Sequence, residues 1–336
     1  MKKAELLITQ AWQTQSPWLN TLAPLSSLYG VVGRVRKSLY DNHTLTKYHA
    51  PIPVMVIGNI TVGGSGKTPL IIALVRYLQQ KDIKVGVISR GYGRESKNPT
   101  LVQKNSTPKE VGDEPCLIVN ETFVPMAVGA NRGQAIDLLM ESYPDLQLII
   151  SDDGLQHYAL HRDVEWIVVD GMRGFGNGKL FPQGFLREPL DRLTGATIIY
   201  HDSRAERYAD DALLMHLISG RPMPLLASDT SLMPQKIYAV SGIGYPVRFF
   251  KTLSDLGFEV VEKPFGDHHA FDIDDLLDLT DLPIITTTKD AVKLRELAKD
   301  IPHAIFDNIW VLPVQMVLSE SVYRQMDAVL DRFDIA

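Results

Sequence analysis

A single cysteine, Cys116, stands in the 336 residues of this chain. That excludes an internal disulfide framework and fits a reducing compartment. Set in Asp113-Glu114-Pro115-Cys116-Leu117-Ile118-Val119, the thiol reads as a small buried apolar group and not as a nucleophile. No Cys/His cluster has zinc-ligand spacing. An excess of positive charge is also missing: the net charge is −6, which argues against general nucleic-acid binding. There is no internal repeat and no low-complexity segment. Between Leu6 and Gly33 there is no charge at all, yet Gln10, Gln13, Gln15, Asn20, Pro17 and Pro24 interrupt the stretch. It is therefore neither a membrane span nor a signal-peptide core. It reads as short helices restarted at the prolines, with Leu25, Leu28, Tyr29, Val32, Val35 and Leu39 on one face. Trp12 and Trp18 lie here, and residues 1–41 carry five basic residues (Lys2, Lys3, Arg34, Arg36, Lys37) against two acidic ones (Glu5, Asp41). Aromatics beside basic residues suit the headgroup level of an anionic membrane. The expectation is an amphipathic, membrane-associated helical arm over 1–41, against the ordinary alternative of a helix docked on the protein's own core.

The most informative feature present is Val54-Met55-Val56-Ile57-Gly58-Asn59-Ile60-Thr61-Val62-Gly63-Gly64-Ser65-Gly66-Lys67-Thr68. An apolar strand runs into a glycine-rich loop, then Gly-Lys-Thr, then a helical run. Consecutive backbone N–H groups of such a loop wrap a polyphosphate, and the helix behind it adds its positive dipole end. The expected nucleotide contacts are Thr61, Val62, Gly63, Gly64, Ser65, Gly66, Lys67 and Thr68, with Lys67 on the β- and γ-phosphates and the Thr68 hydroxyl on Mg²⁺. The pattern asks for Gly or Ala where this chain has Thr61; the strand before and the helix after keep the reading intact.

Length suggests two domains. Strands are predicted at 54–57, 84–89, 125–128, 146–151, 164–169 and 196–200, with helices at 69–80 and 132–142. Short apolar strands between helices, without clean alternation, mean an α/β fold with a parallel sheet covered on both faces. A second series is predicted from 237: strands 237–240, 258–262 and 283–287, helices 246–256 and 290–298. The predicted division is an arm 1–41, a phosphate-loop domain 42–170, a Gly/Pro/Arg-rich connector 171–192 lining a cleft, a segment 193–235 completing the larger domain, and a C-terminal α/β domain 236–336. Ligands in such sheets bind beyond the carboxyl ends of the strands.

Several polar groups sit where chemistry is possible. Asp152 and Asp153 end an apolar run, where a carboxylate beside a phosphate loop holds Mg²⁺ directly or through water. Asp113 opens a helix and suits receipt of a proton from a hydroxyl, although an aspartate there is also an ordinary N-cap. Asp267-His268-His269 offers a metal ligand, a base partner or nothing. Arg90, Arg94, Arg132 and Arg187 stand in Gly-rich loops, where guanidinium forks suit phosphates.

In order, Pro24-Leu25-Ser26-Ser27-Leu28-Tyr29-Gly30, the phosphate loop, Ser89-Arg90-Gly91-Tyr92-Gly93-Arg94, Gly112-Asp113-Glu114-Pro115, Gly129-Ala130-Asn131-Arg132, Asp152-Asp153-Gly154-Leu155-Gln156-His157, Phe175-Gly176-Asn177-Gly178, Leu186-Arg187-Glu188-Pro189, Asp267-His268-His269 and Thr288-Lys289-Asp290-Ala291-Val292-Lys293 resemble the lipid A disaccharide 4′-kinase (tetraacyldisaccharide 4′-kinase) family. The resemblance covers most of the chain and departs mildly at Thr288, where an acid is expected. It implies a P-loop α/β domain with a smaller C-terminal α/β domain joined by a flexible ribbon. It implies Mg²⁺-dependent transfer from ATP to the 4′-hydroxyl of tetraacyldisaccharide 1-phosphate, giving lipid IVA, by a peripheral monomer on the cytoplasmic face of a Gram-negative inner membrane. The implied partners are the lipid A disaccharide 1-phosphate and the anionic inner-membrane surface, with no nucleic acid. The implied catalytic residues are Asp113, His268, Lys67, Arg132, Arg187 and Glu188, and the implied metal organisers Thr68, Asp152 and Asp153; His268 follows from the Asp-His order, with His269 its neighbour and alternative. The rival readings are a membrane-cycling P-loop switch ATPase, against which Val62 stands where that class has lysine, and a non-catalytic nucleotide-binding adaptor.

Overall fold

The computed structural model describes residues 8–335 except 10, 13 and 227–229. The basic and acidic residues Lys2, Lys3 and Glu5 of the arm lie outside the described residues. The chain first lays down β1 (Val54–Gly58), β2 (Val85–Ser89), β3 (Thr100–Leu101), β4 (Met126–Val128), β5 (Leu148–Asp152), β6 (Val164–Asp170), β7 (Thr197–His201) and β8 (Leu213–Ser219). It then crosses to a second sheet of β9 (Met223–Pro224), β10 (Lys236–Ser241), β11 (Glu259–Pro264), β12 (Ile284–Thr287) and β13 (Ile309–Leu312), and returns with β14 (Val314–Leu318).

The larger sheet has nine strands in the order β14-β8-β7-β6-β1-β5-β2-β4-β3, parallel except for the edge strands β3 and β14. The smaller has the order β11-β10-β12-β13-β9, with β9 antiparallel. Every residue of β1, β2 and β5 is buried, as expected of strands covered by helices on both faces. One apolar layer, with Ile71, Leu74, Leu78, Ile118, Met126 and Trp166, fills one face of the larger sheet, and another, with Ile136, Leu139, Leu155 and Ile167, fills the other.

The predicted boundary at 236 differs from what folds. β14 pairs with β8, and the helix Glu320–Arg332 packs Val322, Met326 and Leu330 into the larger domain's core. Met223 and Pro224, expected in the larger domain, pair with β13 of the smaller. Both are pairings between segments far apart in sequence, which local pattern does not reveal.

The N-terminal arm also divides. Trp12 is buried with Ala11, Leu19, Phe185 and Leu186, and its indole N–H donates to the Pro182 carbonyl at 3.0 Å. It is docked on the protein's own core, not presented to a membrane. The helix Ala23–Asp41 behaves otherwise. Ser26 is its one buried residue, donating to the Leu180 carbonyl at 2.6 Å, while Leu25, Leu28, Val31, Val32, Val35 and Leu39 are exposed. No helix among the described residues is long and apolar enough to cross a membrane.

Candidate active site

β1 lies between β5 and β6, with Ile57 opposite Asp152 and Gly58 opposite Ile167. The loop leaving β1 and the end of β5 therefore meet at one edge, where the sheet's connections diverge. The loop turns at Gly63 and Gly66, both with φ above +90°, a conformation that disfavours any side chain. A Cβ at Gly66 would also lie 2.6 Å from His201 Nδ1. Lys67 and Thr68 open the helix Lys67–Gln80. The connector clasps the loop from outside: the Val62 N–H donates to Phe185 O at 2.7 Å, the Arg187 N–H to Ile60 O at 2.7 Å, and the Arg173 guanidinium to Val62 O at 2.5 Å.

Behind the loop stands a charged cluster. The Lys67 ammonium is 3.2 Å from Asn59 Oδ1 and 3.5 Å from Asp153. Arg187 grips Asp153 with both terminal nitrogens at 2.9 Å and also bonds Asn59 Oδ1. Burial alone would raise the Asp153 carboxyl, but the charges of Lys67 and Arg187 outweigh it and hold it well below the usual carboxylate range. Asp152 differs. Its Oδ2 accepts from Ser89 Oγ at 3.3 Å, and its buried Oδ1 has no partner. Burial, reinforced by the charges of Glu114 and Asp153, pushes this carboxyl up to about 7. Arg132, buried behind it, donates to the carbonyls of Gly129 and Asp152 at 2.8 and 3.3 Å.

Asp113 opens the helix Asp113–Thr122 after Gly112, whose φ of +97° and approach to Tyr92 O leave no room for a Cβ. From the other domain, His268 Nδ1 comes to 3.2 Å from both Asp113 oxygens. His269 instead bonds Asp275 at 2.6 Å and is buried among Phe265 and Phe271. Geometry thus separates the two adjacent histidines. Burial would raise Asp113, but the His268 hydrogen bond and the charges of Lys289 and Lys293 hold its carboxyl far below its ordinary value. For His268 burial acts downward, and the Asp113 hydrogen bond reverses it, leaving the imidazole raised. Asp267, the neighbour of His268, comes close to the phosphate loop through Gly244, where an added Cβ would lie 2.7 Å from Gly64 N and 2.8 Å from Asp267 Oδ2.

Glu188 receives Gln156 Nε2 at 2.5 Å and the Tyr158 hydroxyl at 3.2 Å, and pairs with Arg192 at 3.2 Å. Its oxygens are taken by protein donors, so it braces Gln156 and the connector. Asn59, Glu114, Lys289 and Lys293 stand inside the quoted sequence motifs but were given no role of their own there. For Asn59 a signal existed, because a polar residue directly after a fully apolar strand must find partners.

The Tetraacyldisaccharide-1-P 4'-kinase family model matches residues 18–331. The Tetraacyldisaccharide 4'-kinase of Psychrobacter cryohalolentis is 52% identical, over 98% of this chain and 97% of its own. That of Actinobacillus pleuropneumoniae is 43% identical over 96% and 98%. The crystal structure of the "apo" form LpxK from Aquifex aeolicus in complex with ATP superposes with a TM-score of 0.73 at 28% identity, covering 94% of this chain and 99% of that one.

Proposed function

The chain belongs to the tetraacyldisaccharide 4′-kinase family, and we propose that Asp113 and His268 together take the proton of the sugar hydroxyl as the phosphoryl group arrives on it. The activity is ATP-dependent phosphorylation of a tetraacylated disaccharide 1-phosphate at its 4′-hydroxyl, in lipid A biosynthesis. The observation that carries the assignment of the pair is the 3.2 Å contact of His268 with Asp113, made across two domains.

A sugar hydroxyl is a weak nucleophile at neutral pH, and a positioned base contributes about 10²–10⁴-fold, or roughly 3–5 kcal/mol of barrier. Their contact holds the Asp113 carboxyl low and the His268 imidazole raised, as suits a pair that stabilises an arriving proton. Lys67 and the loop N–H groups hold the β- and γ-phosphates, and Asp153 with Arg187 fixes the Lys67 ammonium in place. Thr68 and Asp152 fit a Mg²⁺ ion: a hydroxyl at a helix start and a buried carboxylate oxygen lacking any partner are hard oxygen donors for it. Bound there, Mg²⁺ would offset charge on the β- and γ-phosphate oxygens.

The substrate's acyl chains remain in a bilayer, so the enzyme must reach it there. The exposed apolar face of Ala23–Asp41, with Arg34, Arg36 and Lys37 beside it, suits peripheral attachment to an anionic membrane, here the cytoplasmic face of the inner membrane, by a monomer. The test is ³²P transfer from labelled ATP to the disaccharide lipid in anionic vesicles. Transfer that needs Mg²⁺ and is lost in Asp113→Asn and His268→Ala supports the reading; equal transfer in those variants removes it.

A further inference from the structure

Lys289 is the second residue of the helix Thr288–Asp300. A cation there opposes the helix dipole, so its position calls for a stronger partner. The ammonium is largely buried, 3.0 Å from Glu114 Oε1, 3.5 Å from Asp267 Oδ1 and 3.9 Å from Asp113 Oδ2. It is also 3.4 Å from His268 Nε2. An ammonium has three donors and no acceptor. His268 Nε2 therefore meets it as a lone pair, and the ring proton is left on Nδ1, facing the Asp113 carboxylate. Lys293 lies 3.2 Å from Asp113 Oδ2, with its other ion pair at 3.3 Å on Asp290 of its own helix. The remaining groups facing the imidazole are the Tyr92 ring at 4.7 Å, from the larger domain, and Asp267 at 3.9 Å, from its own loop.

We propose that Lys289 is a positioning residue for the proton-accepting pair: an ammonium carried on the smaller domain that selects the Nδ1–H form of His268 and opposes protonation at Nε2. The inference rests on the reading of Asp113 and His268 given above. Because Glu114 and Asp113 belong to the larger domain, the arrangement exists only when the domains are together, which ties readiness of the base to closure of the cleft. A salt bridge that merely joined the domains would need Glu114 alone. The convergence of the same ammonium on His268 and Asp113 is what adds a chemical role.

The test is kcat/KM against pH for the full-length enzyme with ATP, Mg²⁺ and the disaccharide lipid. Removing a positive charge at this distance makes protonation of the pair easier, so in Lys289→Gln the acid limb moves up by about one pH unit and kcat falls on the order of 10²-fold. Lys289→Arg keeps the charge and keeps the limb where the wild type has it, with partial kcat because the fork is shaped differently. A limb that stays in place in Lys289→Gln, whatever happens to kcat, overturns the proposal in favour of a purely structural tie. An independent readout avoids variants that fail to fold. In ¹⁵N-histidine spectra of the wild type above the acid limb, His268 should carry its proton on Nδ1, and an Nε2–H form contradicts the proposal. If Asp113→Asn and His268→Ala transfer phosphate normally, the reading of the pair falls and this inference with it. If those variants are inactive while Lys289→Gln moves neither limb nor rate, only this inference falls.

Discussion

At the scale of single residues, the site divides polar groups by how well they are paired. Lys67, Asn59, Asp153 and Arg187 satisfy one another. Lys67→Ala should lower transfer by at least about 10³-fold at saturating ATP, since the phosphates lose a charge-assisted contact in a partly desolvated site. Steady-state kinetics check this, and near-normal turnover would contradict the role given to Lys67. Asp152 is the opposite case. Its buried carboxyl is raised to about 7, so its effect on stability is present at low pH and is lost as pH rises through that value. Asp152→Asn removes the charge and keeps the shape. The variant without ligand should melt no lower than the wild type at pH 8, whereas its Mg²⁺ requirement for turnover should rise. A large loss of Tm at pH 8 would show that the carboxylate is already well paired within the protein. Of the site residues, Asp152 and Lys67 were readable from strand end and loop pattern alone. Asp113 and His268 were each visible as candidates, but their pairing was not, because 155 residues separate them and each has an ordinary reading in its own neighbourhood; the resemblance joined them. Lys289 stood in a quoted motif without a role, because its meaning lies in what surrounds it and not in any local spacing.

At the scale of elements, the strands β1, β2 and β4 to β7 were legible because buried parallel strands are short continuous apolar runs. β14 was not, because Val314-Gln315-Met316-Val317-Leu318 is an edge strand paired with a segment nearly a hundred residues earlier. The N-terminal arm shows the same limit. Its apolar residues were visible, but burial chose which of them dock. Trp12 caps a small cluster with Leu19 and Phe185, so Trp12→Ala should cost about 3–5 kcal/mol, read as a lower denaturation midpoint. The exposed face should behave differently. Replacing Leu28, Val32 and Val35 with Ser should leave the denaturation midpoint nearly unchanged and abolish sedimentation with anionic vesicles, since each large apolar side chain buried in the interface contributes about 1.5–3 kcal/mol. High salt should release the wild type only in part, because it screens the charges of Arg34, Arg36 and Lys37 and not the apolar contact. Unchanged sedimentation by the triple variant would move the membrane contact to another surface.

At the scale of the whole molecule, the chain builds one half of its chemistry on each sheet. The phosphate loop, Asp152, Asp153 and Asp113 belong to the nine-stranded sheet and its helices; His268, Lys289 and Lys293 come from the five-stranded one. The smaller domain also reaches the back of the phosphate loop. Arg248 pairs with Asp170 at 2.7 Å and meets His201, whose Nδ1 lies 3.0 Å from Ser65 O. Contacts on both sides of the loop therefore depend on how the domains sit together, and a base assembled from both domains, as proposed, would limit transfer of phosphate to water. Asp113 and His268, contributed by different domains, are proposed to act as one proton acceptor. The most direct measurement is kcat for transfer of ³²P from ATP to the disaccharide lipid in wild type, Asp113→Asn, His268→Ala and the double variant. Each single change should lower kcat by about 10²–10⁴-fold with nucleotide binding retained, and the double variant should be little worse than the poorer single one. Losses that multiply in full would show two independent roles and contradict the claim.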